Sequence, residues 1–211
     1  MGARKTTHLY LTRHGETEWN VAHRMQGRQD SPLTALGLRQ AAWLSEALAE
    51  VALDAIYASP SPRALRTAEI LRRERPIPVQ PEARLYEISL GAWEGLRGED
   101  IVARDPERHH VFWHDPPAYQ PVGGGETFEE VARRVLSCVE ELLAAHHGQR
   151  LLLVTHTVAL KVIMSAYEGR PLSRLWDPPF IHPTSLCHIA LDGTGHTILK
   201  HGDVSHFPEP L

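Results

Sequence analysis

Cysteine is almost absent from this 211-residue chain: Cys138 and Cys187 are the only two. Two thiols supply neither a disulfide framework nor the paired spacing of a zinc site. A reducing cytoplasm is therefore the expected setting. No apolar run is long enough to span a bilayer. Charge of one sign is not in excess either, since 22 Lys and Arg face 26 Asp and Glu for a net charge of -4. That balance removes any global attraction to nucleic acid or to anionic lipid. The chain has no internal repeat, no low-complexity tract and no composition shift that reads as an interdomain linker. Met1 to Thr7 is polar and basic and leads straight into an apolar segment, so a signal peptide is not expected. Gly2 and Thr6 fit the loose N-myristoylation pattern, but two weakly specified positions carry no argument.

What the chain does have is an ordinary globular composition, 42% hydrophobic and 23% charged, and 14 histidines. His8 to Thr12 reads as a short strand and Leu151 to Thr155 as a continuous apolar one, the pattern of a strand covered on both faces. Ala55 to Ala58 is a further short apolar segment, and Ser185 to Leu191 and Thr197 to Lys200 read as closing strands. Helices are expected from Ala35 to Val51 with Thr34 as N-cap, from Pro62 to about Arg73 with Ser61 as N-cap, and from about Val158 to Tyr167. Thr127 and Glu130 form a capping box that opens another, with Phe128, Val131, Val135 and Val139 on one face. This order predicts an α/β fold, a three-layer α/β/α sandwich with a mostly parallel central sheet. Residues 1–211 are expected to form one domain, with a small helical and loop cap at about 96–126.

Two histidines stand at matching places. His14 ends the first strand and His156 follows the strand Leu151 to Thr155. Ligands of open α/β sheets bind beyond the carboxyl ends of strands, so the two rings can share a pocket although far apart in sequence. Each adjoins a turn or helix start whose backbone N–H groups suit an anion. Arg13 adds a planar cation beside His14, and Arg63 opens a helix after another strand. Two arginines and two imidazoles on one spot make a phosphate site.

Leu11-Thr12-Arg13-His14-Gly15-Glu16-Thr17-Glu18-Trp19-Asn20 resembles the opening motif of the histidine phosphatase superfamily, in its phosphoglycerate mutase-like branch. The resemblance continues through Gln26-Gly27, Asp30 to Thr34, Ser59 to Ala68, Leu85 to Gly95 and Val154-Thr155-His156, in the family's order. It implies that His14 attacks phosphorus and becomes phosphohistidine, with the Gly15 carbonyl orienting its ring. Arg13, Arg63 and His156 would hold the phosphoryl oxygens, with further contacts from Asn20, Gln26, Gly27 and Thr157. Glu87 would protonate the leaving oxygen and then activate water; Glu94 competes for that role. Thr157 stands where glycine is frequent, which leaves local geometry open, and Arg66 would add a cation if it faced inward.

The resemblance implies a phosphomonoester hydrolase acting on a small phosphorylated metabolite, without metal or organic cofactor. The alternative is a phosphoglycerate mutase, and a third option is a phosphate-binding module without catalysis. The segment from Leu96 to Glu126 is compact and has no basic cluster for a substrate carboxylate, which favours the phosphatase subgroup. Trp19, Trp93 and Trp113 read as packing, and His110 and His114 as a solvated pair without a third metal ligand. His146 and His147 are expected at a helix end. No nucleic-acid or membrane partner is implied; the oligomeric state is open, a homodimer being one option. Turnover of phosphoesters is expected to persist with a chelator present, and activity abolished by the chelator would contradict the metal-free chemistry.

Overall fold

The computed structural model describes residues 6–208. Gly2, of the N-myristoylation pattern, lies outside the described residues. One six-stranded sheet organises the chain. Its strands are β1 (Thr7–Arg13), β2 (Ala55–Ala58), β3 (Val79–Pro81), β4 (Arg150–Thr155), β5 (Leu186–Leu191) and β6 (His196–Asp203). Their spatial order is β3-β2-β4-β1-β5-β6. The first four strands run parallel, and β5 and β6 close the sheet antiparallel. The helices are α1 (Glu18–Val21), α2 (Ala35–Ala47), α3 (Pro62–Arg72), α4 (Gly98–Arg104), α5 (Pro106–His114), α6 (Phe128–Ala145) and α7 (Thr157–Tyr167).

Side chains alternate between the two faces of the strands, and that alternation builds the layers. Leu9, Leu11, Leu151 and Leu153 enter one core with Val131, Val135 and Val139 of α6 and Leu160 and Ile163 of α7. Tyr10, Leu152 and Val154 enter the other, with Leu44 of α2 and Ala64, Ala68 and Leu71 of α3. The expected sandwich is therefore present, with its parallel strands covered on both faces. Thr34 and the Thr127–Glu130 box cap their helices as expected.

Three local features differ from expectation. The helix expected to reach Val51 stops at Ala47, because Arg75 draws the carbonyls of Leu48, Ala49 and Val51 out of helical register at 2.5, 3.3 and 3.3 Å. β3 was hidden among prolines; Pro81 is tolerated because this is an edge strand. Ser61 occupies the N-cap position of α3 but gives the helix no side-chain bond.

The strand register sets out the site. Arg13 pairs with Thr155 and Ala58 with Val154, so β1, β4 and β2 end side by side. The His14 N–H donates to the Thr155 carbonyl at 3.0 Å and the Ser59 N–H to the Val154 carbonyl at 2.9 Å. His14, His156 and Ser59 thus leave three adjacent strands at one level. The first turn of α2 is stitched to the loop after His14: the Thr34 hydroxyl accepts from the Gly37 N–H at 2.9 Å and donates to the Glu16 carboxylate at 2.7 Å.

That stitching requires close approach of two backbones. A Cβ on Gly15 would lie 2.5 Å from the Gly37 carbonyl oxygen, and one on Gly37 would overlap the Glu16 carbonyl oxygen. Gly37→Ala is expected to destabilise the protein by about 1–3 kcal/mol, read from the midpoint of urea unfolding. An unchanged midpoint would contradict the contact.

Candidate active site

A cavity of about 460 Å³ opens beyond the carboxyl ends of β1, β4 and β2. Its floor holds Arg13, His14, Arg63 and Glu87, with His156 fully buried behind them. The His14 and His156 ring centres are 5.1 Å apart, inclined at 62°.

Arg63, on the first turn of α3, is 2% exposed and ties the floor together. Its Nη1 donates to the Gln29 carbonyl at 2.7 Å and to Asp30 Oδ1 at 2.9 Å. Nη2 donates to the Gly27 carbonyl at 2.8 Å and faces His156 Nδ1 at 3.2 Å, while Nε donates to His14 Nε2 at 3.3 Å. A guanidinium carries donors only. Both imidazole nitrogens that face it must therefore present lone pairs. His14 then carries its proton on Nδ1, which donates to the Gly15 carbonyl at 2.7 Å. His156 carries its proton on Nε2, which lies 2.8 Å from Ser59 Oγ and 3.3 Å from Ser61 Oγ. Burial, then Arg63, push both rings well below the ordinary histidine pKa, with Arg13 adding to the shift at each. Both are neutral, and Nε2 of His14 is a free base.

Arg13 reaches the floor from the end of β1. Its Nη1 donates to the Ile181 carbonyl at 2.9 Å, and its buried Nε makes no hydrogen bond within the protein. Burial lowers its pKa to about 10, so it remains a cation at neutral pH. Thr67 Oγ1 accepts from the Gly15 N–H at 3.1 Å and donates to the Arg63 carbonyl at 2.8 Å, tying the two halves of the floor.

Glu87 stands at the N-terminus of α7. It accepts from the backbone N–H groups of Ile88 at 3.0 Å and Val158 at 3.1 Å. These bonds and the arginines favour the carboxylate, but burial dominates and raises its pKa above the ordinary value. Glu94 is elsewhere. It accepts from the backbone N–H groups of Arg28 at 3.0 Å, Gln29 at 3.2 Å and Leu90 at 3.0 Å, and fixes the loop that carries the Gly27 carbonyl.

The remaining expected residues divide. Asn20, Gln26, Gly27 and Thr157 line the cavity. Asn20 Oδ1 is engaged by the Thr17 N–H and hydroxyl, each at 3.0 Å, which leaves the amide NH₂ uncommitted by these bonds. Gln26 is anchored through Nε2 to Thr17 Oγ1 at 2.5 Å. Gly27 acts through Arg63, and its φ of +55° with the Glu94 carboxylate against it leaves no room for a side chain. Arg66 is exposed and outside the cavity, so it adds no charge there. Trp19 packs on Gly95 and Trp93 is buried in the core. His146 caps the end of α6 and meets the Tyr57 hydroxyl at 2.9 Å. His110 and His114 stack on each other at 4.1 Å, and no metal-ligating cluster occurs among the described residues.

Trp113 is not packing alone: it lines the cavity from α5 with Phe112, and its ring packs 4.5 Å from that of Trp176 in a wall continued by Pro178 and Phe180. That second wall had no signal in the sequence. It is held by Lys161 of α7, whose Nζ donates to the Asp177 carbonyl at 2.8 Å and the Pro179 carbonyl at 3.3 Å. Trp176 Nε1 donates to the Phe112 carbonyl at 2.7 Å and joins it to α5.

The chain is similar to known proteins in sequence and in fold. The chain is 35% identical over 168 residues to phosphoserine phosphatase 1 of Hydrogenobacter thermophilus, covering 80% of this chain and 79% of that one. It is 36% identical over 164 residues to the probable phosphoglycerate mutase GpmB of Proteus mirabilis, covering 77% and 75%. The solved structure of Bacillus stearothermophilus YhfR superimposes with a TM-score of 0.92 at 48% identity, covering 95% of this chain and 98% of that one. The sequence profile of the histidine phosphatase superfamily (branch 1) matches residues 9–204, and the chain belongs to that family.

Proposed function

We propose that the protein is a phosphomonoester hydrolase that works through a phosphohistidine at His14 and acts on small phosphorylated metabolites. The observation that carries this is the buried His14, whose Nε2 faces the Arg63 Nε donor at 3.3 Å and therefore presents its lone pair among Arg13, Arg63 and His156. Phosphoryl transfer asks for a positioned nucleophile and for cations on the equatorial oxygens. Arg13 and Arg63 supply those cations, and Asn20, Gln26 and Thr157 border the same floor. Residues 1–211 are read as one such domain, with 96–126 as its cover.

In the first step the His14 Nε2 lone pair attacks phosphorus. The long contact from Arg63 Nε gives way, and Arg63 and Arg13 take the phosphoryl oxygens. The phosphorus–oxygen ester bond breaks and Glu87 gives its proton to the leaving oxygen. The proton stays on Nδ1 and donates to the Gly15 carbonyl, which stabilises the charged ring. In the second step the Glu87 carboxylate takes a proton from water, whose oxygen attacks phosphorus as the N–P bond breaks. A dianionic phosphate beside Glu87 raises its pKa further and keeps the acid form available.

Two of the similar proteins carry different names, a phosphatase and a probable mutase. The cavity's outer wall favours hydrolysis here. A phosphoglycerate needs cations for its carboxylate, whereas this wall is Met25, Phe112, Trp113, Trp176 and Phe180. Outside the floor, the cations among the described lining residues are Arg24 and Lys161, and Lys161 Nζ is committed to backbone carbonyls. Such a wall suits an apolar alcohol and leaves water as the acceptor.

The test is a single turnover with no alcohol acceptor, in which inorganic phosphate is expected to appear at the rate of ester cleavage. A stable enzyme-bound phosphoryl group, released only on adding a phosphoglycerate, would make the mutase the correct assignment. Glu87→Gln is expected to slow alkyl phosphates by about 10²–10⁴-fold and aryl phosphates, whose leaving groups need less protonation, much less. The rate should fall as pH rises through the elevated Glu87 pKa, and fall again in acid where His14 gains its proton. A flat profile from about pH 5 to about pH 9, with chemistry limiting, would contradict these roles.

A further inference from the structure

Ser59 and Ser61 are 0% and 1% exposed and take no part in the steps above. Ser59 follows β2, and its Oγ lies 2.8 Å from His156 Nε2. Ser61 stands where a serine ordinarily caps a helix, yet its hydroxyl leaves α3 uncapped and lies 3.3 Å from the same nitrogen. A serine N-cap is ordinarily worth about 1 kcal/mol. Here that hydroxyl is turned to His156 instead. The two hydroxyls meet at 3.4 Å, Ser59 Oγ donating to Ser61 Oγ. Ser59 Oγ is thereby left as an acceptor for the Nε2 proton.

We propose that Ser59, seconded by Ser61, is the positioning residue of His156: it holds a proton on Nε2 and so turns Nδ1 to the phosphate cradle. The consequence appears when a phosphoester enters. Bare Nδ1 would repel a phosphoryl oxygen. A phosphomonoester monoanion resolves this by passing its proton to Nδ1, which leaves a phosphate dianion against an imidazolium. The proton on Nε2 stays there throughout, hydrogen-bonded to Ser59 Oγ. Without that acceptor, the imidazolium would carry a buried, unpaired N–H beside Arg63 and Arg13, which disfavours the charged ring. The catalytic consequence rests on the phosphatase assignment; the placement of the proton does not.

The experiment is nitrogen-15 NMR of histidine-labelled protein, with inorganic phosphate as the probe and the His156 signals identified by their loss in His156→Gln. Free wild type should show a protonated Nε2 and a bare Nδ1, and the phosphate complex should show both nitrogens protonated. Ser59→Ala should leave His156 incompletely protonated in phosphate, and weaken phosphate binding about 10- to 100-fold. Ser59→Thr, which restores the hydroxyl, should recover both. Ser61→Ala should give a smaller loss in the same direction, and it serves if Ser59→Ala does not fold. A bare Nε2 in the free wild type would overturn the proposal, as would a folded Ser59→Ala with wild-type signals and affinity. Failure of the wild type to bind phosphate would overturn the phosphatase assignment, while the free-protein spectrum would still decide where the proton sits.

Discussion

One guanidinium fixes the state of both imidazoles. Arg63 has only donors, and it faces Nε2 of His14 and Nδ1 of His156 at 3.3 and 3.2 Å. Each ring must therefore place its own proton on the far nitrogen, where the Gly15 carbonyl and the Ser59 hydroxyl accept it. A buried cation is costly unless paired, and Asp30 and the carbonyls of Gly27 and Gln29 satisfy this one. The loop that carries Gly27 and Gln29 is fixed in turn by Glu94, which accepts from the backbone N–H groups of Arg28 and Gln29.

The sheet makes the meeting possible. Parallel pairing of β1 with β4 and of β4 with β2 brings residues from three distant parts of the chain to one level. The helices that follow these strands then contribute their first turns: Arg63 from α3, Thr157 and Val158 from α7. The Val158 N–H that holds Glu87 is an ordinary unsatisfied donor of a helix start, put to use. Above this polar floor the cavity changes character. Its aromatic wall comes from two segments, α5 and the stretch around Trp176 to Phe180, joined by the Trp176–Phe112 bond.

His14, His156 and Arg63 were legible because they follow strands, and strands announce themselves by apolar runs; Glu87 was reached only through the family motifs. His14 and His156 follow such runs directly. The capping box at Thr127 and the cap at Thr34 were legible because they are local chemistry. Ser59 was visible as part of a motif, but its bond to His156 depends on register between β2 and β4, which no single segment encodes. The Trp176 to Phe180 wall was invisible for the same reason: it is placed by Lys161 and Arg13, contacts between segments remote in sequence. Trp113 read as packing, and only the position of α5 over the cavity separates a packing tryptophan from a wall-lining one. The early end of α2 likewise depended on Arg75, a residue some distance downstream.

The central claim is that Nε2 of His14 takes the phosphoryl group. The most direct measurement is mass spectrometry of peptides after a brief reaction with a phosphoester, stopped in alkali, where phosphohistidine survives. The account predicts one phosphoryl group on the peptide containing His14, stable in alkali and lost in acid. A phosphoryl group on His156, or undiminished turnover by His14→Ala, would contradict it.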